Sequence, residues 1–166
     1  METLAPELVP ERTAAFSAYE LERGKPAPSQ NHSVVQTNLC FELQSRYRAQ
    51  FRILPEINIA IAGRVLVPDI GIFEKMPIDM AQDVLVLTQL PLTTVEILSP
   101  RQALDDLIDK ADAYLAAGVR SCWVVMPKLQ GVAVFSAPRT YVLFRSPETL
   151  LDAATGVELP LGPLFE

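Results

Sequence analysis

The chain predicts a mixed β-sheet with helices packed against it, an α/β or α+β fold. Three observations carry that prediction. Its 166 residues suit one domain with a core of its own. Helical and strand periodicities succeed one another in the order helix, strands, helix, strands. An apolar strand at 92–98, a helix at 103–117 and a very apolar strand at 120–126 form a strand–helix–strand unit, which a right-handed crossover makes parallel.

Each element has its own signal. Residues 11–18 suit a short helix after Pro6 and Pro10. Tyr19-Glu20-Leu21-Glu22-Arg23 alternates and meets Gly24-Lys25, which predicts a short strand and turn. Pro26, Pro28 and Ser29 break the chain. Val35, Leu39, Leu43 and Tyr47 then recur every four residues, predicting a helix over 31–49 with Ser29 or Asn31 at its cap. Pro55 interrupts the next segment. Ile57–Ile61 and Val65–Phe73 read as strands joined through a tight turn at Ala62-Gly63-Arg64, a hairpin. Residues 74–91, with Pro77 and Pro91, read as a long loop holding a short element at 84–87. Gly118 stands in the C-cap place of the 103–117 helix. Residues 131–136 and 141–145 are further strands. After Pro147, short apolar pieces broken by Gly156, Pro160, Gly162 and Pro163 predict a tail that wraps the domain. The whole of 1–166 reads as one domain, with 1–30 an N-terminal extension carrying the short strand and 147–166 the tail.

Composition narrows the class. Apolar residues make up 49% and charged residues 20%, as in an ordinary soluble globular protein. No apolar run approaches the roughly 20 residues that span a bilayer. The N-terminus lacks a basic segment followed by an apolar one, which predicts a cytoplasmic protein. Cys40 and Cys122 lie in separate apolar patterns with no zinc spacing around them, so they predict two buried thiols. A formal net charge of −6 argues against a basic nucleic-acid coat, though it leaves room for a local basic groove.

The chemistry gathers around one anomaly. Val95-Glu96-Ile97-Leu98 is an apolar strand with a carboxylate inside it, and burying that charge is costly unless something compensates it. Asp69 follows Pro68 inside another apolar stretch. Lys110 lies in the helix after Glu96, beside an apolar face of Leu104, Leu107, Ile108, Ala111 and Leu115. Its long stem can follow the core edge while the ammonium reaches the rim of the sheet. If the two strands are neighbours, Asp69 and Glu96 converge, and two such carboxylates repel unless a cation lies between them. Carboxylate oxygens suit Mg²⁺, with Mn²⁺ as the second choice. Such an ion activates water and stabilises charge on a phosphoryl group, while a lysine holds the water or neutralises the phosphate.

Pro68-Asp69-Ile70, Val95-Glu96-Ile97-Leu98-Ser99-Pro100, Asp106, Lys110, Tyr114, Ala117-Gly118-Val119 and Trp123-Val124-Val125 together resemble a large bacterial family of restriction-endonuclease-like proteins in the PD-(D/E)xK nuclease superfamily. Tyr19-Glu20-Leu21 with Gly24, His32 opening a helix, and Leu159-Pro160-Leu161 with Leu164-Phe165 extend the resemblance over most of the chain. It implies the restriction-endonuclease-like fold and a Mg²⁺-dependent endonuclease acting on nucleic acid, DNA first, as a homodimer with one site per strand. It also implies that Asp69 and Glu96 are the metal carboxylates and Lys110 the catalytic lysine, with Glu20 as a further carboxylate. The chain departs from the broader superfamily at Leu98, the place usually held by the lysine. A second departure is Met126-Pro127, where the family often has an acidic residue before the proline.

Blander readings stand beside these. Asp69 alone suits a turn cap or a pair with Arg64. Glu96 and Lys110 alone suit a buried ion pair, which would leave the domain a non-catalytic interaction module. His32, the single histidine, suits a local hydrogen bond at a helix start. Ser99 suits a cap, and with no histidine expected in reach it is not a nucleophile. No glycine-rich phosphate loop occurs.

Overall fold

Ser17 and Glu20 stand at the spacing of a capping box, and the computed structural model, which describes residues 17–23 and 26–166, shows them used as one. The Glu20 amide donates to the Ser17 hydroxyl at 3.2 Å, and the Ser17 amide donates to the Glu20 carboxylate at 2.8 Å. Ala18–Arg23 is therefore a helix, α1, rather than the strand its alternation suggests. Two reciprocal caps on a short segment outweigh a period of two. The helix expected over residues 11–18 lies, up to residue 16, outside the described residues, as does the turn at Gly24-Lys25.

Helix α2 (Gln30–Tyr47) follows its sequence pattern. Ser29 caps it, accepting the His32 amide at 3.3 Å. Its buried stripe is His32, Val35, Leu39 and Leu43, so the histidine continues the apolar face one turn toward the N-terminus.

The strands are β1 (Phe51–Pro55), β2 (Ile59–Ile61), β3 (Arg64–Leu66), β4 (Ile70–Glu74) and β5 (Thr93–Ile97), then β6 (Ser121–Met126), β7 (Gly131–Ala137), β8 (Thr140–Arg145), β9 (Thr149–Asp152) and β10 (Val157–Pro160). Six of them form one sheet in the order β1-β4-β5-β6-β7-β8. Helix α3 (Leu104–Ala116) joins β5 to β6, which are parallel, with Thr93 opposite Ser121 and Ile97 opposite Val125. The other neighbours are antiparallel, so the sheet is mixed. Gly118, at φ 108°, ends the α3 segment in a conformation that a side chain would strain.

Four expectations are corrected or sharpened. Val65–Phe73 is two strands: β3 pairs with β2 in a small hairpin through Ala62 and Gly63, both at positive φ, whereas β4 enters the main sheet. Pro68 has no amide to give a ladder, and the chain changes sheets there. Phe51–Pro55 is a strand despite its proline, because β1 is an edge strand and Pro55 is its last residue. The tail at 147–166 contains a hairpin, β9 with β10. Residues 84–87 hold only a single bridge, Leu87 to Ile59.

Alternation along the strands splits the core into two layers. Ile70, Ile72, Val95, Ile97, Trp123, Val125, Val132 and Val134 pack against α2 and the C-terminal hairpin. Phe73, Cys122, Val124, Ala133 and Phe135 pack against Leu107, Ala111 and Tyr114 of α3. By that parity Glu96, between Val95 and Ile97, belongs to the α3 face. Gly71 is needed in β4 because a β-carbon there would meet the Phe73 ring at 2.6 Å. Among the described residues no helix is long and apolar enough to cross a membrane.

A buried carboxylate ties the tail to the sheet. Asp152 Oδ2 accepts from Trp123 Nε1 at 2.9 Å and from the Ser121 hydroxyl, in a setting where the residue is 1% exposed. Asp152→Ala leaves both donors buried without that acceptor. Urea unfolding is expected to show a loss of about 3 kcal/mol, with a smaller loss for Asp152→Asn, which keeps one acceptor oxygen. An unchanged midpoint for Asp152→Ala would show that the carboxylate does not hold the hairpin.

Candidate active site

The site lies where the β4–β5 ladder stops. Ile70 pairs with Val95, so one step further the register sets Asp69 beside Glu96. Pro68 and Asp69 do not continue the ladder. Instead the Asp69 side chain takes the place of a main-chain acceptor, and Oδ2 receives the Ile97 amide at 2.7 Å. Asp69 is 3% exposed and Glu96 2%.

Glu96 meets α3. Lys110 Nζ lies 2.7 Å from Glu96 Oε1 and also donates to the Val67 carbonyl at 3.1 Å. Tyr114, one turn along, donates its hydroxyl to the same Oε1 at 2.9 Å. The buried face of α3 is Leu107, Ala111 and Tyr114, while Leu104 is 40% exposed. The face is thus turned from the expected one toward Lys110, which places the lysine at its edge. Burial pushes the Glu96 carboxyl up to about 7, against the pull of the Lys110 ammonium and with a further push from Asp69. Burial, with the Glu96 charge beside it, pushes the Tyr114 phenol up.

The structure adds two residues to the site: His32, which the sequence suits to a local hydrogen bond at a helix start, and Glu56, which the sequence does not single out. His32, 5% exposed, sends Nε2 to within 3.4 Å of Asp69 Oδ1, and its Nδ1 pairs with the Ser99 hydroxyl at 3.0 Å. Ser99 therefore orients the histidine with its side chain, and only its carbonyl caps the turn, accepting the Gln102 amide at 3.1 Å. Glu56 is held at φ 55°, with its amide on the Asp69 carbonyl at 3.1 Å. Gln36 spans the two, donating to Glu56 Oε1 at 3.2 Å and to the Asp69 carbonyl at 2.9 Å. The signal for His32 was its place in the buried stripe of α2. Glu56 had no comparable signal, since nothing in Pro55-Glu56 foretells a left-handed residue.

His32, Glu56, Asp69, Glu96 and Lys110 line one small cavity. One donor atom from each of His32, Glu56 and Asp69 lies within 4.8 Å of the others. Ligands of an octahedral ion with bonds of about 2.1 Å stand about 3.0 Å apart in cis and about 4.2 Å apart in trans, and His32 Nε2 and Asp69 Oδ1, 3.4 Å apart, are near the cis spacing, so these donors are placed to share one divalent cation. A ring nitrogen fixed on the side away from the ligand atoms is the usual support for a metal-binding histidine. Glu96 is outside that threesome, its Oε1 engaged by Lys110 and Tyr114. Glu20 is not among the residues that line the cavity: its carboxylate accepts the Ser17 and Ala27 amides and pairs with Arg101. The backbone amides of Ala27 and Ser17 hold it down to about 2.

The Uma2 family model, described as "Putative restriction endonuclease", matches residues 10–162. A crystal structure described as a putative nuclease belonging to DUF820, from Anabaena variabilis ATCC 29413, has the same fold. It aligns with a TM-score of 0.73 at 23% identity, over 84% of this chain and 83% of that one. A DrdV–DNA complex solved by electron cryomicroscopy aligns at a TM-score of 0.36 and 16% identity, over 68% of this chain and 12% of that one. No match is found among curated proteins.

The Glu96 environment has a measurable consequence. The folded chain keeps the Glu96 proton up to about pH 7, whereas the unfolded chain releases it near 4.5, so folding loses stability as pH rises through that window. In chelator, the melting temperature of Glu96→Gln relative to the original protein is expected to rise by roughly 5 °C between pH 4.5 and 7.5, then level off. A pH-independent difference would show that Glu96 titrates as an ordinary carboxyl.

Proposed function

The chain belongs to the Uma2 family, described as putative restriction endonucleases, and on that premise we propose that it is a cytoplasmic, metal-dependent endonuclease that hydrolyses phosphodiester bonds in nucleic acid, DNA first. One observation carries the proposal: Asp69, Glu96 and Lys110, brought from three separate parts of the chain, line a single cavity with His32 and Glu56. Asp69 belongs to both candidate ligand sets, the expected pair with Glu96 and the threesome with His32 and Glu56. An imidazole among carboxylates moves the preference from Mg²⁺ toward Mn²⁺. When bound, the cation supplies an acidified water and charge neutralisation at the phosphate.

The residues divide the remaining work. Asp69 is held by the Ile97 amide, so its carboxylate cannot swing away from the site. Lys110, fixed between Glu96 and the Val67 carbonyl, offers positive charge to the developing phosphorane. Glu96, pushed up to about 7, can take a proton from water near neutral pH. Tyr114 fixes its rotamer. Cutting both strands of a duplex requires two such sites, which a two-fold homodimer supplies.

A second reading has one observation in its favour. Glu96 Oε1 already has two partners, so the Glu96–Lys110 pair is satisfied without a substrate. On that reading the domain is a non-catalytic interaction module, and apolar replacement of the pair stabilises it.

Two measurements separate them. With Mn²⁺ or Mg²⁺, the protein is expected to cleave single- or double-stranded DNA, and Asp69→Ala, Glu96→Ala or Lys110→Ala to slow cleavage at least about a hundredfold while circular dichroism is unchanged. Calorimetric titration is expected to show that His32→Ala weakens Mn²⁺ binding at least about tenfold, with a smaller effect on Mg²⁺. Absence of both metal binding and cleavage would leave the interaction module as the function.

A further inference from the structure

A second, larger cavity adjoins the carboxylate one. It encloses about 300 Å³, and Leu98, Leu104, Met126 and Pro127 make its wall largely apolar. That volume is at the small end of ligand pockets. The two cavities share Ser99 and Gln102, so they meet at the turn between β5 and α3. Leu98 stands where the broader superfamily keeps its lysine, and here it supplies part of this apolar wall. The Met126-Pro127 departure supplies another part. Leu98, the departure from the broader superfamily, and Met126-Pro127, the departure from the family, thus line the same cavity.

The occupant must be flat or compact, apolar on its faces, able to hydrogen-bond at an edge, and joined to a group that suits the neighbouring cluster. Asn31 and Gln102 on the wall each offer an amide donor and an amide acceptor to such an edge. A nucleotide meets these demands in one molecule, with its base in the apolar cavity and its phosphate at the cluster. Taking the nuclease reading as its basis, we infer that this cavity receives one unstacked nucleobase of the substrate, attached to the phosphate presented to Asp69 and Lys110. A base seated in a protein pocket has left the stack of a duplex, so the substrate is single-stranded or locally opened.

Fluorescence anisotropy in Ca²⁺ tests this without needing cleavage. The probes are a short single-stranded DNA, the same sequence as RNA, the DNA as a duplex, and single-stranded DNAs carrying one abasic residue at successive positions. Single strands are expected to bind at least about tenfold more tightly than the duplex, and one abasic position to weaken binding about tenfold. Leu104→Trp, which fills the cavity from a 40% exposed position, is expected to cause a similar loss and to abolish the abasic effect. Met126→Phe fills it from the end of β6 and carries the same expectation, and melting curves check that both variants fold. Stronger binding of DNA or of RNA identifies the sugar, and either supports the pocket. Equal binding of single strand and duplex, or a Leu104→Trp variant that still senses the abasic residue, overturns it. If metal-dependent cleavage persists alongside those results, the pocket fails and the nuclease reading stands. If neither DNA nor RNA binds, both fall.

Discussion

A carboxyl group inside an apolar strand stays there only if it keeps its proton or meets a positive charge. Glu96 does some of each. Its neighbours Val95 and Ile97 are buried on one face of the sheet, and its own side chain meets α3 on the other. Removing Lys110 would leave a buried charge without a counterion. Removing Glu96 would leave a lysine on the core edge with the Val67 carbonyl and the Tyr114 ring but no counterion. This ion pair joins α3 to the sheet beside the apolar contacts of Leu107 and Ala111, and the site is built on it.

Around this pair the chain uses the end of a β-ladder as a scaffold. Regular pairing satisfies the main-chain groups with one another, and where pairing stops an amide is left for a side chain to take up. At Pro68-Asp69 the pairing stops, and the Asp69 carboxylate takes the Ile97 amide that would otherwise lack an acceptor from β4. The same break sends β3 into a separate hairpin, so one proline serves both the topology and the site. His32 approaches from the first turn of α2 and Glu56 from the end of the edge strand β1. The polar cluster thus draws on both layers of the core, and rigid elements hold it.

Several features were legible in residue order alone. The stripe of Val35, Leu39 and Leu43 sets α2, and the apolar run with Glu96 followed by an amphipathic helix and Gly118 sets the parallel unit. Asp69, Glu96 and Lys110 were legible as oddities, each a charge in or beside an apolar pattern. Their convergence agrees with those oddities, and their roles in catalysis remain part of the proposal. The capping box of Ser17 and Glu20 was also visible in the sequence, yet alternation obscured it, because a period of two over five residues is a weak signal.

What residue order determined by itself is the set of local periods and the places where a charge contradicts them, since both depend on neighbours within a turn or two. Only the tertiary structure decided which charges meet. Glu56 reaches His32 and Asp69 because its backbone is left-handed and because β1 pairs with β4, two facts of long-range geometry. The cavity beside Leu98 depends likewise on how far the α2 start, the α3 start and the end of β6 stand apart. Burial patterns act within one element, whereas the distance between donor atoms on different elements is set by the packing of the whole core.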